Sequence, residues 1–161
     1  MTEVFVGVGS NVEAEKHVRA AVGLMRERFG ALKLSPVYRN RAVGFEGEDF
    51  LNLVAVLDTS LEIAQLSAAL DEIEVRCGRQ RGAARFAPRT LDLDLLLYGD
   101  AVSEKPELPR KEILRYDFVL KPLADLAPAH RHPLMGRSYA ELWAEFKDQQ
   151  GAMTPVDLSN L

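Results

Sequence analysis

Asp92 and Asp94 are the residues in this 161-residue chain best placed to do chemistry. They sit in the run Leu91-Asp92-Leu93-Asp94-Leu95-Leu96-Leu97, which reads as a buried strand. Side chains two apart on a strand share a face, so the two carboxylates stand side by side while Leu91, Leu93 and Leu95 pack on the other face. Two carboxylates that close repel each other and resist desolvation unless positive charge lies between them. A pair of hard divalent cations answers that need, and Mg²⁺ held by carboxylates usually also holds substrate phosphates. Two such ions, roughly 3.5–4 Å apart, can clamp both the attacking and the leaving oxygen of a phosphoryl-type transfer.

The segment just before the pair supports a polyanion. Residues 76 to 90 hold five arginines, Arg76, Arg79, Arg81, Arg85 and Arg89, and no acid. With Gly78, Gly82, Ala83 and Ala84 the stretch reads as a mobile basic loop. Arginine forks bind phosphate in bidentate fashion and do not lose their charge. A charge run is often only a solvated face, and Arg79 or Arg81 could instead neutralise the aspartates in a buried ion cluster. Such a cluster is costly to desolvate without a functional return. A second surface runs from Arg39 to Asp49 and on to Phe50 and Asn52. The Asn52 carboxamide can donate and accept at once, as reading a flat heterocycle requires. Phe50, Phe86 and Phe118 can each supply a stacking face or pack in a core.

Bulk properties exclude several classes. The net charge of −4 argues against nucleic acid as a partner. One cysteine, Cys77, cannot form an internal disulfide and suits a reducing compartment. No apolar run is long enough to span a membrane, and the start Met1-Thr2-Glu3-Val4 lacks a signal-peptide pattern. The expectation is one domain over residues 1–161, cytoplasmic, monomeric and not fused to another enzyme. Gly7-Val8-Gly9 lacks the third glycine of a dinucleotide fingerprint. No phosphate-loop, zinc or Cys-His pattern is present. His17, His130 and His132 read as surface or capping residues.

The elements that must hold the aspartates follow from periodicity. Val4 to Val8 forms a strand, with Ser10 or Asn11 capping a helix over residues 14–29 that Gly30 ends. Residues 31–38 form a second strand, which Pro36 marks as an edge or bulge. Phe50 to Leu57 is a third strand. A helix from Thr59 or Ser60 to about Cys77 places Ile63, Leu66, Leu70 and Ile73 on one face. The Asp-bearing strand follows, then a proline-rich loop over 103–112, a short helix over 118–126, and a last helix over 138–147 with Ser138 and Glu141 as its capping box. The tail from Gly151 is expected to be poorly ordered. This β-α-β-β-α-β order is the ferredoxin-like pattern of an α+β fold. The C-terminal helices would cover the other face of the sheet, giving αβα layers.

The stretch Phe86-Ala87-Pro88-Arg89-Thr90-Leu91-Asp92-Leu93-Asp94-Leu95-Leu96-Leu97-Tyr98-Gly99 resembles the signature of the 6-hydroxymethyl-7,8-dihydropterin pyrophosphokinase family. Val8-Gly9-Ser10-Asn11, Ser35-Pro36-Val37-Tyr38, Phe50-Leu51-Asn52, Ile73-Glu74, Gly78-Arg79-Gln80-Arg81 and Phe118-Val119-Leu120-Lys121-Pro122-Leu123 fall in register. The resemblance spans about residues 4–128. It implies a ferredoxin-like fold and transfer of pyrophosphate from ATP to the hydroxymethyl of the reduced pterin, releasing AMP. It implies two Mg²⁺ on Asp92 and Asp94, with Arg79, Arg81 and Arg89 in catalysis beside them. ATP would meet Glu74, Arg79, Arg81, Arg89 and Leu95. The pterin would meet Asn40, Val43, Phe50, Asn52, Phe86, Asp92 and Phe118.

Four departures stand out. Phe86 replaces a usual Trp, Asn40-Arg41-Ala42 replaces a Thr-Pro-Pro-like run, and Gly82 falls where some members carry lysine. Arg110 and Tyr116 stand where members usually have histidine and arginine. Arg110, Lys111 and Arg115 are the expected replacements for the lost phosphate contacts.

Overall fold

A computed structural model describes residues 1–41, 48–78, 91–146, 153–158 and 160–161. In chain order the elements are β1 (Thr2–Ser10), α1 (Ala14–Phe29), β2 (Lys33–Leu34), β3 (Val37–Asn40), β4 (Phe50–Thr59), α2 (Ile63–Arg76) and β5 (Asp92–Tyr98). A hairpin of β6 (Ser103–Glu104) and β7 (Glu107–Leu108) follows, then α3 (Glu112–Arg115), α4 (Asp117–Leu126), α5 (Tyr139–Ala144) and β8 (Thr154–Val156). The sheet runs β5-β1-β4-β3-β8 with β2 also on β4, and these pairings are antiparallel. Its first four strands have the ferredoxin-like order the periodicity predicts.

Alternation sorts the strand residues into two cores. Val4, Val6 and Val8 of β1 point to one face with Leu91, Leu93 and Leu95, where α1 and α2 lay down Val18, Met25, Leu66 and Ile73. Phe5, Val54, Leu96 and Leu97 point to the opposite side, against Leu120 and Leu123 of α4 and Tyr139 and Leu142 of α5. Leu96 and Leu97 both reach that second core because the β1–β5 register shifts at Phe5/Val6, a bulge that turns one extra residue to the same side. The result is the αβα arrangement.

Several local expectations are corrected. The strand over 31–38 is two strands, interrupted at Ser35-Pro36. Proline has no N–H for the ladder. Ser35 compensates: its N–H donates to Val54 O at 2.9 Å and its Oγ accepts from Val54 N–H at 2.8 Å. Helix α1 starts after Glu13, whose backbone is left-handed, and is capped by neither Ser10 nor Asn11. Ser10 Oγ donates to Val12 O, and Asn11 Nδ2 donates to Glu48 O at 3.2 Å, which joins the end of β1 to the start of β4. Helix α2 begins at a Glu62–Gln65 capping box rather than at Thr59 or Ser60. The Ser138–Glu141 box forms as expected. Part of the expected loose tail is ordered, because Thr154–Val156 adds β8 to the edge at β3.

His132 is buried, not a surface residue. Its Nδ1 accepts the N–H groups of Leu134 and Met135 at 3.2 and 3.1 Å, closing the turn that leads into α5. Burial lowers its pKa below the usual 6.5. The neutral ring is therefore the folded form, and stability from this turn is complete above the unfolded pKa of about 6.5 and lost as pH falls below it. Between pH 7.5 and 5.5 the unfolding midpoint should drop more for the native chain than for His132→Gln. Equal drops would show that this imidazole does not carry the effect.

Candidate active site

The antiparallel register builds one row across the sheet. Asp92 faces Gly9, Gly9 faces Asn52, and Asn52 faces Tyr38. The next row on the same face is Asp94, Gly7 and Val54. Glycines two apart on a strand leave a trough, because neither carries a Cβ. At Gly9 the trough is required: a Cβ there would lie 2.7 Å from Asn52 Oδ1. The carboxamide of Asn52 thus leans over β1 toward the strand that carries the carboxylates.

Asn52 is held from the other side. Its Nδ2 donates to Asn40 Oδ1 at 2.5 Å, and Asn40 Nδ2 donates to Arg41 O at 3.1 Å. Asn40 is buried and pairs in register with Phe50. Tyr38, at the end of the row, donates its hydroxyl to Asp125 of α4. Burial and that acceptor push the phenol pKa far up, so it stays a donor. Lys121 pairs with Asp125 at 2.8 Å and lies 5.5 Å over the Trp143 ring of α5. These contacts tie both C-terminal helices to β3, the strand beside Asn52.

Asp92 and Asp94 are half-buried at the mouth of the trough, with the Asp94 side chain 43% exposed. Their strand is a sheet edge, and Glu74 of α2 completes it: the buried carboxylate accepts the Leu93 N–H at 2.8 Å. Glu74 therefore fixes the backbone between the two aspartates. Leu95 has its side chain in the core, so only its backbone can reach a ligand. Arg110 brings positive charge to the pair, 3.5 Å from Asp94 Oδ1, with Glu112 on its far side. Phe118 stands at the start of α4 and stacks on Tyr116, centroids 4.9 Å apart and planes 13° apart. Lys111 and Arg115 are exposed at either end of α3. Val43, Arg79, Arg81, Phe86 and Arg89 lie outside the described residues.

Among the described residues no three acidic, histidine or cysteine side chains converge as a metal cage. Two hard, partly exposed carboxylates on one face are the donor set Mg²⁺ takes when substrate phosphates and water complete its shell. The residues present fit that ion. Three features were not drawn from the sequence: the Gly9 approach to Asn52, the Tyr38–Asp125 tie, and the Arg110 link between Asp94 and Glu112. The Gly7-x-Gly9 spacing on a strand was a usable signal for the first. The other two join residues far apart in sequence and left none.

The trough makes a comparative prediction. Gly9→Ala forces the Asn52 carboxamide aside and should cost about 1–3 kcal/mol in urea unfolding. Gly7→Ala meets only Leu96, at 3.6 Å, an ordinary contact, and should cost less. Equal losses would contradict the close approach.

Known proteins share the sequence pattern and the fold of this chain. The model of the 7,8-dihydro-6-hydroxymethylpterin-pyrophosphokinase family matches residues 5–128. A 2-amino-4-hydroxy-6-hydroxymethyldihydropteridine pyrophosphokinase of Pseudomonas aeruginosa is 42% identical over 148 residues, covering 88% of this chain and 90% of that protein. One of Aquifex aeolicus is 32% identical over 153 residues, covering 92% of each. A crystal structure of Plasmodium falciparum HPPK-DHPS superimposes with a TM-score of 0.76 at 12% identity, a likeness of fold alone. It covers 98% of this chain, which spans about half the length of that one (48%). The chain belongs to the 7,8-dihydro-6-hydroxymethylpterin-pyrophosphokinase family.

Proposed function

We propose that this chain transfers the terminal pyrophosphoryl group of ATP to the hydroxymethyl oxygen of 6-hydroxymethyl-7,8-dihydropterin in folate synthesis. Two Mg²⁺ at Asp92 and Asp94 serve the transfer. The observation that carries the reading is the shared row: Asp92 and Asn52 flank the bare backbone of Gly9 on one face of the sheet. Metal-holding carboxylates and a heterocycle-reading amide thereby open on the same trough, as a transfer between a nucleotide and a flat heterocycle needs.

In the reaction the hydroxymethyl oxygen bonds to the β-phosphorus of ATP while the bond from that phosphorus to the α,β-bridging oxygen breaks. AMP leaves and the hydroxyl proton is lost. Bound Mg²⁺ supplies charge neutralisation on the polyphosphate and alignment of the two oxygens. The chain's own work is positioning. Asn52, steadied by Asn40, presents a donor and an acceptor to the pterin edge, with Phe50, Phe118 and Phe86 as stacking faces and Val43 in the adjoining loop. Arg79, Arg81 and Arg89 are assigned to the triphosphate, with Arg110, Lys111 and Arg115 as further cations. Glu74 holds the β5 backbone at Leu93, between the two aspartates. Leu95 has the same parity as Leu93, whose N–H points outward to Glu74, so its backbone faces the open edge, where the nucleotide base can meet it.

The reading takes residues 1–161 as one unit acting as a monomer in the cytoplasm. The lone, buried Cys77 suits reducing surroundings, and among the described residues no helix is long and apolar enough to cross a membrane.

Purified chain supplied with ATP, Mg²⁺ and the reduced hydroxymethylpterin should release AMP. ADP as product would overturn the reading in favour of single-phosphoryl transfer, and no turnover would overturn it in favour of a binding module on the same fold. Asp94→Asn should keep the fold by circular dichroism and lose at least about 10²–10³-fold in kcat, the usual cost of removing one group that offsets developing charge. Native-like turnover would refute the metal assignment.

A further inference from the structure

Arg110 follows the β6–β7 hairpin and meets β5 at the Asp94 end of the site. Its backbone is fixed, because its N–H donates to Leu96 O at 3.0 Å. Its side chain reaches back along β5, with one guanidinium nitrogen 3.5 Å from Asp94 Oδ1 and Nε 2.5 Å from Glu112 Oε2. Nε makes no directional hydrogen bond there, so charge rather than N–H geometry holds the contact. The Arg110 and Asp94 side chains are 35% and 43% exposed. The guanidinium belongs to neither core. Asp94 has other interactions as well, so Arg110 is one of its counter-charges rather than the whole.

A divalent ion that joins Asp94 in this arrangement meets the repulsion of the guanidinium. It would place two positive charges beside a third that cannot be neutralised by deprotonation. That repulsion favours moving the guanidinium, and the polyphosphate arriving with the metal offers its fork a better partner than a single carboxylate oxygen at 3.5 Å. We propose that Arg110 is a resident counter-cation at Asp94 that holds divalent ions off the nucleotide-free site and passes to the triphosphate when metal and nucleotide arrive together. Glu112 shares the guanidinium charge and so weakens its hold on Asp94. Arg110 is in this sense a positioning residue that couples metal entry to nucleotide entry. The proposal rests on the assignment of metal to Asp94 in the pyrophosphokinase reading.

Mn²⁺ alone, titrated into the full nucleotide-free chain and followed by the paramagnetic resonance of the free ion, tests it. Arg110→Gln should bind Mn²⁺ tighter, by roughly three- to tenfold for a half-exposed charge pair, and should bind the Mg²⁺ complex of an α,β-methylene ATP analogue more weakly. Arg110→Met, which keeps the packing of the side-chain stem, should behave alike if the glutamine variant is poorly folded. Glu112→Gln should weaken Mn²⁺ binding, and that effect should vanish in the Arg110→Gln background. Unchanged or weaker Mn²⁺ binding in the Arg110 variants would overturn the exchange, as would a Glu112 effect that persists without Arg110. Asp94→Asn should bind Mn²⁺ worse than the native chain. Native-like binding there would instead overturn the metal assignment beneath the proposal.

Discussion

Two negative charges one pleat apart are the constraint around which this molecule is organised. Alternate strand residues are about 6.6 Å apart, and two unit charges at that spacing repel by about 2.5 kcal/mol at an effective dielectric near 20. Asp92 and Asp94 cannot turn away from each other, because Leu91, Leu93 and Leu95 are committed to the opposite core. The sheet cannot release the strand either, since Glu74 fixes its outer edge and β1 its inner one. The repulsion is answered from outside the strand, by cations such as Arg110 and, in the proposed reaction, by metal.

The sheet turns this local strain into a site by what it places beside it. β1 contributes glycine at both rows next to the aspartates, so the next side chains across are Asn52 and Val54 of β4. The space above β1 is thereby reserved. The wall above it comes from the C-terminal helices, which pack on the second core and are tied at the rim through Tyr38, Asp125, Lys121 and Trp143. One face of the sheet is thus a conventional helix-covered core. The other is core at one end and carries Asp92, Asp94 and Asn52 at the other.

Much of this was legible in the sequence for a specific reason. Strand alternation is a period of two, and it sorted Leu91, Leu93 and Leu95 to one face and the two aspartates to the other without knowledge of the fold. The element order followed from two amphipathic helices set between strands. The errors came where a side chain had a nearby competitor. Ser10 and Asn11 looked like caps, but Asn11 bonds the start of β4 instead, because the two strands are neighbours. His132 read as a surface or capping residue; its ring is buried, and it accepts two backbone N–H groups to close the turn. The last strand was missed because Thr154–Val156 is short and is made a strand only by β3 beside it. Arg110 was legible as a cation but not as a partner of Asp94, since nothing local links residues separated by a hairpin.

The pairing of two metals on Asp92 and Asp94 is the central claim, and a direct count tests it. Mn²⁺ bound to the full chain in the presence of the α,β-methylene ATP analogue should reach two ions per chain, with the altered resonance spectrum of an exchange-coupled pair. Asp92→Asn should abolish the coupling. A single ion per chain with an uncoupled spectrum, or a coupled pair that survives the loss of either aspartate, would contradict the account.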